Sequence, residues 1–490
     1  MQIKTFSLLT VLSLHLVANS DIKLNEDSTE YKAPRLAGDS LAIKPMQRVD
    51  SNDAPKIKAL LRYSAQHRDT SYHSTQSGNT PIANKTQQYS ALGGYLGYET
   101  PSLYNISLGA TFYTAQNVGN NPDSRIGLGG LNEDDSTANS YAVLGEAYIK
   151  YAFHEHELML GRREMPNYRF VSLSNIRFSP YTHEGVTYEN TLFEELKINL
   201  GYINAQKGRN AEEFEGMVRS ARVNENSIRG NYSASNYTDG RYTGESKSMP
   251  MIGLLFNKNK LNAELWNYYV EDFVNTLYLY ADYNYKINKE ASLTLAVQYA
   301  KQQDVGESVA GNIDSWFYGL KAQLALKNGI TLFSAYNQIA YNENSYDGGT
   351  IFVRWGTPQM FNSYQVQDSE LAGTKSIGIG AQFELGHMGL VPNTVIRFRY
   401  ANYDMPDSLT DRDAAQDRSE TTFDLRYSFA KNDGFGIFTQ MKGLSLQFRV
   451  AYDDYKTNYD YSAYMAQHGY GFSEVTDDFV DTRLYLDYIF

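Results

Sequence analysis

The sequence predicts an all-β fold, a transmembrane antiparallel up-and-down β-barrel of about 18 strands. Three observations predict it. Apolar and polar residues alternate with a period of two along most of the chain. The connections between these segments are alternately long and short, and the chain begins with an apolar segment typical of exported proteins.

The clearest alternation lies in the last segment, residues 482–490. One face carries Leu484, Leu486, Tyr488 and Phe490, and the other carries Arg483, Tyr485, Asp487 and Ile489. Because successive side chains of a strand point to opposite faces, this strand has one apolar and one mostly polar face. In a closed barrel set in lipid it would pair with the first strand and leave the sheet without edges.

Similar alternation recurs from residue 57 to the end of the chain, for example over residues 104–112, 376–385, 422–429 and 444–451. The segments are close to the roughly 9–11 residues that a tilted membrane strand needs. A repeated pattern of period two does not serve an amphipathic helix, so we expect strands throughout.

Composition excludes several classes of protein. The 490 residues include no cysteine, which excludes a disulfide framework, a thiolate metal site and a cysteine nucleophile. A net charge of −12 argues against nucleic-acid binding. The 41 tyrosines suit strand surfaces and membrane interfaces, because each joins an apolar ring to a polar hydroxyl.

The amino-terminal segment predicts export. Lys4 precedes an apolar run over residues 6–17, and small residues at 18–20 offer a cleavage site before Asp21. We therefore predict a signal peptide over 1–20, a flexible periplasmic leader over 21–55 and a single barrel domain over 56–490. The predicted location is the bacterial outer membrane.

The connections between predicted strands differ at the two ends of the barrel. Long ones lie near 68–87, 115–139, 165–180, 205–249, 303–312, 342–374, 404–419 and 455–481. Short ones lie near 99–102, 153–155, 190–192, 258–260, 287–290, 326–329 and 386–391. Long extracellular loops and short periplasmic turns are typical of outer-membrane barrels. The short hairpin at Glu271 and Asp272 and the long turn over 431–442 depart from the rule.

The polar face of the predicted strands is rich in basic residues. With the apolar face against lipid, the inward basic residues include Lys58, Arg62, Lys150, Arg163, Lys197, Lys321, Arg397, Arg399, Arg426, Arg449 and Arg483. Inward acids such as Asp282, Glu384, Asp424 and Asp487 are fewer. A basic channel wall would favour anionic solutes. The alternative is that the arginines pair with lumen acids and only stiffen the wall.

The third long connection is the best candidate for a constriction. Residues 162–181 include Arg162, Arg163, Tyr168, Arg169, Phe170, Arg177 and Tyr181. A loop that folds into a lumen must present polar groups there, and arginine can hold a carboxylate or phosphate bidentately. The alternative is a surface loop with incidental basic residues.

The remaining sequence motifs give weaker indications of function. His154 and His156 lie at a predicted short turn without the further ligands that a metal needs, so a solvated turn is the better interpretation. No G-x-S-x-G or H-E-x-x-H sequence occurs. The glycine-rich residues 127–130 have no following helix and do not form a phosphate cradle.

Residues 175–186, Asn-Ile-Arg-Phe-Ser-Pro-Tyr-Thr-His-Glu-Gly-Val, resemble the signature of the OprD family of outer-membrane porins, an Arg-x-x-Pro element followed by a glycine. Further similar stretches are Arg209 and Asn210 with Phe214 and Met217, then residues 268–272 and 275–278. The family usually has an acid shortly before the loop arginine, where this chain has Asn175 and Ile176, and this leaves the substrate preference open.

The resemblance implies an eighteen-stranded barrel that passes small water-soluble solutes, often carboxylates, along a line of basic residues. It implies that Arg163 and Arg177 lie at or near the constriction. The candidate pore-lining residues are Lys150, Arg163, Tyr168, Arg169, Arg177, Tyr181, Arg397, Arg399, Arg426, Arg449 and Arg483.

We therefore expect an outer-membrane porin that acts by passive diffusion, without turnover or a bound cofactor. Its expected partners are outer-membrane lipid and small solutes, and the barrel would be a monomer or a homotrimer. Two alternatives stay open: an outer-membrane barrel enzyme such as a lipase or protease, and a secreted all-β adhesin.

Overall fold

A computed structural model describes the chain in thirteen stretches. These are residues 54–74, 84–119, 130–134, 137–166, 168–171, 177–223, 247–353, 355–356, 360–367, 369–406, 417–429, 443–456 and 474–490. The predicted signal peptide, almost all of the predicted leader and the turn over 431–442 lie outside the described residues.

Eighteen long strands form the main sheet of the described chain, in agreement with the predicted fold class. They are β1 (Lys56–Ser74), β2 (Lys85–Glu99), β3 (Ile106–Asn117), β4 (Tyr141–Phe153), β5 (His156–Arg163), β6 (Thr182–Phe193), β7 (Leu196–Lys207), β8 (Met249–Lys258), β9 (Leu261–Val270), β10 (Val274–Lys286), β11 (Ala291–Asp304), β12 (Asp314–Leu326), β13 (Ile330–Ile339), β14 (Lys375–Glu384), β15 (Thr394–Asp404), β16 (Arg418–Ser428), β17 (Leu444–Tyr455) and β18 (Glu474–Ile489).

These strands pair antiparallel with their neighbours in sequence, and the last strand returns to the first. β18 runs against β1 from Ile489 opposite Leu60 to Glu474 opposite Ser74, with one irregularity after Ser71. The sheet is therefore closed. Closure satisfies the backbone N–H and C=O groups that would otherwise face hydrocarbon at an open edge.

The connections follow the predicted asymmetry. The end of the barrel with long connections is called the loop end here, and its two connections that matter for the site are loop 3 (residues 164–181) and loop 7 (residues 340–374). At the same end the connection over residues 271–273 is short, as the sequence predicted. Within the described residues no helix is long and apolar enough to span a membrane.

The alternation of side chains also follows the sequence. On β18, Arg483, Tyr485 and Asp487 are 1%, 3% and 4% exposed, whereas Leu486 on the other face is 40% exposed. The polar face therefore points into the barrel. The apolar face forms the outer surface, where lipid solvates it.

The two strands that close the barrel are longer than the sequence indicated. β1 continues to Ser74, beyond the predicted end near residue 67, and β18 begins at Glu474 instead of near residue 482. The added residues are mostly polar on both faces, so they lack the apolar alternation on which the prediction depended. These extensions pair with each other as strands.

One half of the interior is filled by an aromatic cluster. Its strand residues include Trp266, Tyr268, Tyr278 and Phe317, and its loop residues include Met165, Phe170, Phe352 and Trp355. The ring of Phe170 from loop 3 lies 5.2 Å from that of Tyr278 in an edge-to-face contact. Loops 3 and 7 thus fill the barrel beside β9–β12. The arginine-bearing wall of β15–β18 and β1 lies outside this cluster.

An ion pair crosses the junction of the first and last strands. Arg62 donates from Nε and Nη2 to the two carboxylate oxygens of Asp487, at 2.7 and 2.6 Å. Both side chains are buried. This bidentate geometry is the strong form of an arginine–carboxylate contact.

We expect Asp487→Asn to destabilise the closed barrel. Removing one partner of a buried ion pair costs about 3–5 kcal/mol, because the remaining charge stays buried without compensation. The temperature at which the detergent-solubilised protein changes its electrophoretic mobility should fall. Glu384→Gln serves as the control, because its contact with His387 is exposed. Equal transition temperatures for the two variants would contradict the expectation.

Candidate functional site

The first half of loop 3 is anchored in the aromatic cluster. Arg169 donates to both carboxylate oxygens of Glu264 on β9, at 3.1 and 2.8 Å, and its guanidinium lies 4.3 Å from the ring of Tyr280. Burial acts to lower the pKa of Arg169, but the attraction of the Glu264 carboxylate outweighs burial, so the pKa is raised. In the same half of the loop, Tyr168 donates a hydrogen bond to Glu189 at 2.9 Å. These contacts hold the loop inside the barrel.

The second half of loop 3 contains the Arg-x-x-Pro element and is held by a lysine. Lys207 at the end of β7 donates from Nζ to Ser179 Oγ at 2.6 Å and to the carbonyl of Pro180 at 3.2 Å. Tyr181 is fully buried, and the Arg209 guanidinium lies 5.3 Å from its ring. The turn that follows Arg177 is therefore fixed from the strand beside it.

Arg177 is placed against the strand junction. Its backbone carbonyl accepts a hydrogen bond from Arg62 Nη1 at 2.9 Å, and its Nη1 lies 3.5 Å from Gln66 Oε1. No carboxylate within the described part of the chain forms a hydrogen bond or ion pair with it, and its Nε is buried without a hydrogen-bond partner there. Burial lowers the pKa of Arg177 below its usual value, and the neighbouring Arg209 lowers it further.

The wall facing this arginine carries a row of charged and polar side chains at one level. Directly paired positions run from Arg397 to Asp424, then to Arg449, then to Arg483 and then to Gln66 on β1. All five positions point inward in the strand alternation. Pairing of strands thus brings together residues that are far apart in sequence.

The wall arginines differ in how they are held. Arg449 Nε lies 3.0 Å from Asp424, and Arg483 Nε donates to Asp481 at 2.6 Å. Arg397 donates to Gln382 at 2.9 Å, and Arg399 donates to Thr422 at 3.1 Å. Arg426 is buried two residue pairs closer than Asp424 to the end of the barrel with short turns, and it lies opposite Gln447.

Besides Arg449 Nε, which faces Asp424, four buried polar atoms around Tyr485 have no hydrogen-bond partner among the described residues. They are Arg177 Nε, Arg449 Nη2, Arg483 Nη1 and the Tyr485 hydroxyl. The guanidinium groups of Arg62, Arg177, Arg449 and Arg483 all lie within electrostatic range of that hydroxyl. Buried polar groups are normally satisfied, so their donors form a site suited to a hydrogen-bond acceptor. This group is called the Tyr485 cluster below.

The opposite wall is balanced in charge. Lys150 pairs with Glu99, and Arg163 lies 3.7 Å from Glu189 and also donates to Thr187 at 3.0 Å. Lys58, on β1 at the edge of the arginine wall, lies 2.5 Å from Glu146 of the opposite wall. Basic and acidic groups are therefore paired along this wall.

Loop 7 contributes to the site, which the sequence did not indicate. Its inner residues reach the arginine wall. There Gln365 donates from Nε2 to Asp481 at 2.9 Å, and its backbone carbonyl accepts a hydrogen bond from Arg483 Nη2 at 3.1 Å. A signal was present, because residues 351–361 include Ile351, Phe352, Val353, Trp355, Met360 and Phe361, unlike the polar composition of the other loops.

The predicted site residues thus fall into three groups. Arg177, Arg449 and Arg483 meet at the Tyr485 cluster, with Arg397, Arg399 and Arg426 on the neighbouring wall. Lys150 and Arg163 are paired on the opposite wall. Tyr168, Arg169 and Tyr181 are buried in contacts that anchor loop 3, and their role as pore-lining residues stays a prediction.

Two further points of the sequence analysis concern the residues before Arg177 and metal binding. Asn175 and Ile176, which stand where the family usually has an acid, lie outside the described residues. In the part of the chain that the structure describes, no group of three or more His, Asp or Glu side chains could hold a metal ion.

The structure is similar to known porin structures. It matches Pseudomonas aeruginosa OccK9 (OpdG) with a TM-score of 0.69 and 18% identity, over 89% of this chain and 98% of that chain. It also matches Acinetobacter baumannii OccAB3 (TM-score 0.66, 16% identity, 89% and 99% covered) and Pseudomonas aeruginosa OpdK with vanillate (TM-score 0.64, 16% identity, 89% and 98% covered). At such identities the likeness shows the fold.

The sequence comparisons are more specific. No curated protein matches the chain. The family model of the outer membrane porins of the OprD family matches residues 107–489, which is most of the chain and includes the loop 3 signature and the arginine wall. The chain therefore belongs to the OprD family of porins of the bacterial outer membrane.

Proposed function

We propose that this porin lets small hydrophilic anions, above all carboxylates, diffuse passively through a basic lumen that loop 3 narrows. Arg177 carries this proposal. It is a half-buried arginine in the second half of loop 3, its Nε is buried, and it has no carboxylate partner among the described residues. A passing carboxylate would supply the acceptor that this guanidinium lacks.

The charges around Arg177 support an anion at this point. Its lowered pKa reflects burial and the repulsion from Arg209, and the negative charge of a solute would offset both. Arg449 and Arg483 add further donors from the wall. Their own acids, Asp424 and Asp481, neutralise part of the charge, so the site would hold an anion briefly without trapping it.

The pairing of the other arginines narrows the list of solute-binding residues. Arg169 is fully engaged by Glu264, and Arg163 lies among Glu157 and Glu189. We therefore propose that these two stabilise loop 3 and the opposite wall. Arg177, Arg449 and Arg483 would contact the solute, with Arg397 and Arg426 extending the field along the wall.

The function of a channel and that of a barrel enzyme can be separated by planar-bilayer recording. Purified protein under a potassium chloride gradient should give stepwise currents with a reversal potential that favours chloride. Absence of stepwise currents, together with ester or peptide hydrolysis by the same preparation, would support the enzyme. Cation preference would overturn the proposed lumen selectivity while leaving the channel intact.

We expect Arg177→Ala to weaken anion binding in the channel. A hydrogen bond to a charged group contributes about 1.5–3 kcal/mol, so the succinate concentration that halves the chloride current should rise about tenfold or more. Anion preference should fall in the same experiment. Folding, followed by heat-dependent electrophoretic mobility, should be retained.

Arg162→Ala is the matched control for this variant. Arg162 is an arginine of the same region, but it points to the outer face and pairs with Glu184 at 2.6 Å. Its removal deletes the same charge without changing the Tyr485 cluster. Equal succinate block in Arg177→Ala and Arg162→Ala would remove Arg177 from the proposed site.

We expect Asp424→Asn to act in the opposite direction. The substitution removes the carboxylate 3.0 Å from Arg449 and leaves that guanidinium with its full charge toward the lumen. Chloride preference, measured as reversal potential in the same gradient, should therefore increase. A decrease or no change would mean that Arg449 does not face the ion path.

A further inference from the structure

The inner segment of loop 7, residues 360–367, is attached to the barrel wall over several strands. Asn362 donates to the backbone carbonyls of Ala335 and Ser376, and its own carbonyl accepts from Tyr403 at 2.6 Å. Val366 packs against Ala451 on β17. This segment therefore crosses from β13 to the arginine wall and occupies lumen space at the loop end.

Three consecutive backbone N–H groups of this segment converge on one carboxylate. Glu420 on β16 accepts from Gln365 N at 2.8 Å and from Val366 N at 3.0 Å through Oε1. It accepts from Gln367 N at 3.0 Å through Oε2. Successive N–H groups pointing to one place make an anion-binding concavity. Glu420 is fully buried, so water does not compete for these bonds.

The neighbouring side chains complete the contact. Gln367 donates from Nε2 to Asp453 Oδ1 at 2.8 Å and accepts from Arg418 Nη1 at 3.4 Å. Asp453 lies directly opposite Glu420 on the next strand. The contact therefore contains a loop that offers donors and a wall that offers carboxylates. The Tyr485 cluster differs, because there both the loop and the wall offer donors.

We propose that residues 365–367 of loop 7 form a carboxylate receptor, and that Glu420 fills it as an internal ligand and thereby holds loop 7 across the lumen. The receptor accepts a carboxylate because two oxygens receive three N–H groups. It is distinct from the arginine site, since its donors are backbone groups and its occupant belongs to the protein. The proposal does not depend on the anion preference of the channel.

The width of the channel follows from this contact. Without the Glu420 carboxylate, three buried N–H groups would lose their acceptor, and each such loss is unfavourable. The segment would leave the wall to have its N–H groups hydrated. We expect the open channel to become wider and its current to fluctuate.

The test uses Glu420→Ala and chemical rescue. The substitution removes a group about the size of acetate, so free acetate can take the vacated place. In planar bilayers Glu420→Ala should show a larger and noisier open-channel current than the unmodified protein. Sodium acetate should restore the quiet current, whereas acetamide, which has the same shape and no charge, should not.

Asp424→Ala is the matched control. Asp424 is an inward carboxylate of the same strand, and it contacts Arg449 and Gln447, not loop 7. This variant loses the same charge and also reports how acetate itself changes the current. We expect it to alter the ion preference and the size of the current, but to keep a quiet current whose noise acetate does not change.

A second variant covers failure of Glu420→Ala to fold. Glu420→Gln keeps the shape and one acceptor oxygen, but its amide group meets an N–H of loop 7. The backbone amides of residues 365–367 should exchange hydrogen faster in this folded variant than in Asp424→Ala. Quiet, unmodified current in Glu420→Ala, lack of rescue by acetate, or unchanged exchange in Glu420→Gln would each overturn the proposal.

Discussion

The structure depends on one constraint: a sheet in hydrocarbon must satisfy all of its backbone hydrogen bonds internally. Closure between β1 and β18 meets this constraint and brings residues from the two ends of the barrel domain together. The buried pair of Arg62 and Asp487 lies at this junction. Once the sheet is closed, alternation alone assigns apolar side chains to lipid and polar ones to the interior. The alternation that places apolar side chains on the outer surface thus also decides which side chains line the channel wall.

A barrel of this size would be a wide pore if its loops stayed outside. Loops 3 and 7 fill one half through aromatic packing, which removes apolar surface from water, and they reach the other half through polar contacts. The Tyr485 cluster therefore lies at the boundary between an apolar filling and an arginine wall. Arg177 lies at that boundary, since loop 3 supplies it and the strand junction receives it.

Period-two alternation predicted the strands well because lipid requires a continuous apolar face. β9 and β10 have the predicted bounds, Leu261–Val270 and Val274–Lys286. The wall arginines, such as Arg449 and Arg483, follow from the same alternation. The polar ends of β1 and β18 did not, since their sequences are mostly polar on both faces and lack the apolar alternation.

The sequence was less informative about which residues contact each other inside the barrel. Alternation indicates that Arg483 points inward. Only the strand register and the path of loop 7 show that Asp481 and Gln365 form hydrogen bonds with it. Loop 3 was found through its arginines, whereas Glu420, which holds loop 7, has no sequence motif. Contacts between a loop and a distant strand depend on three-dimensional placement, and a single sequence does not encode them in a local pattern.

The contacts of Arg62 bear on the order of assembly. One guanidinium joins the last strand, through Asp487, to the backbone of loop 3, through the carbonyl of Arg177. The tip of loop 3 cannot be held in this way until both termini of the barrel domain have met. If loop 3 narrows the pore as we propose, an incompletely inserted barrel would be a leak of undefined size, and sieving would begin only with the final strand.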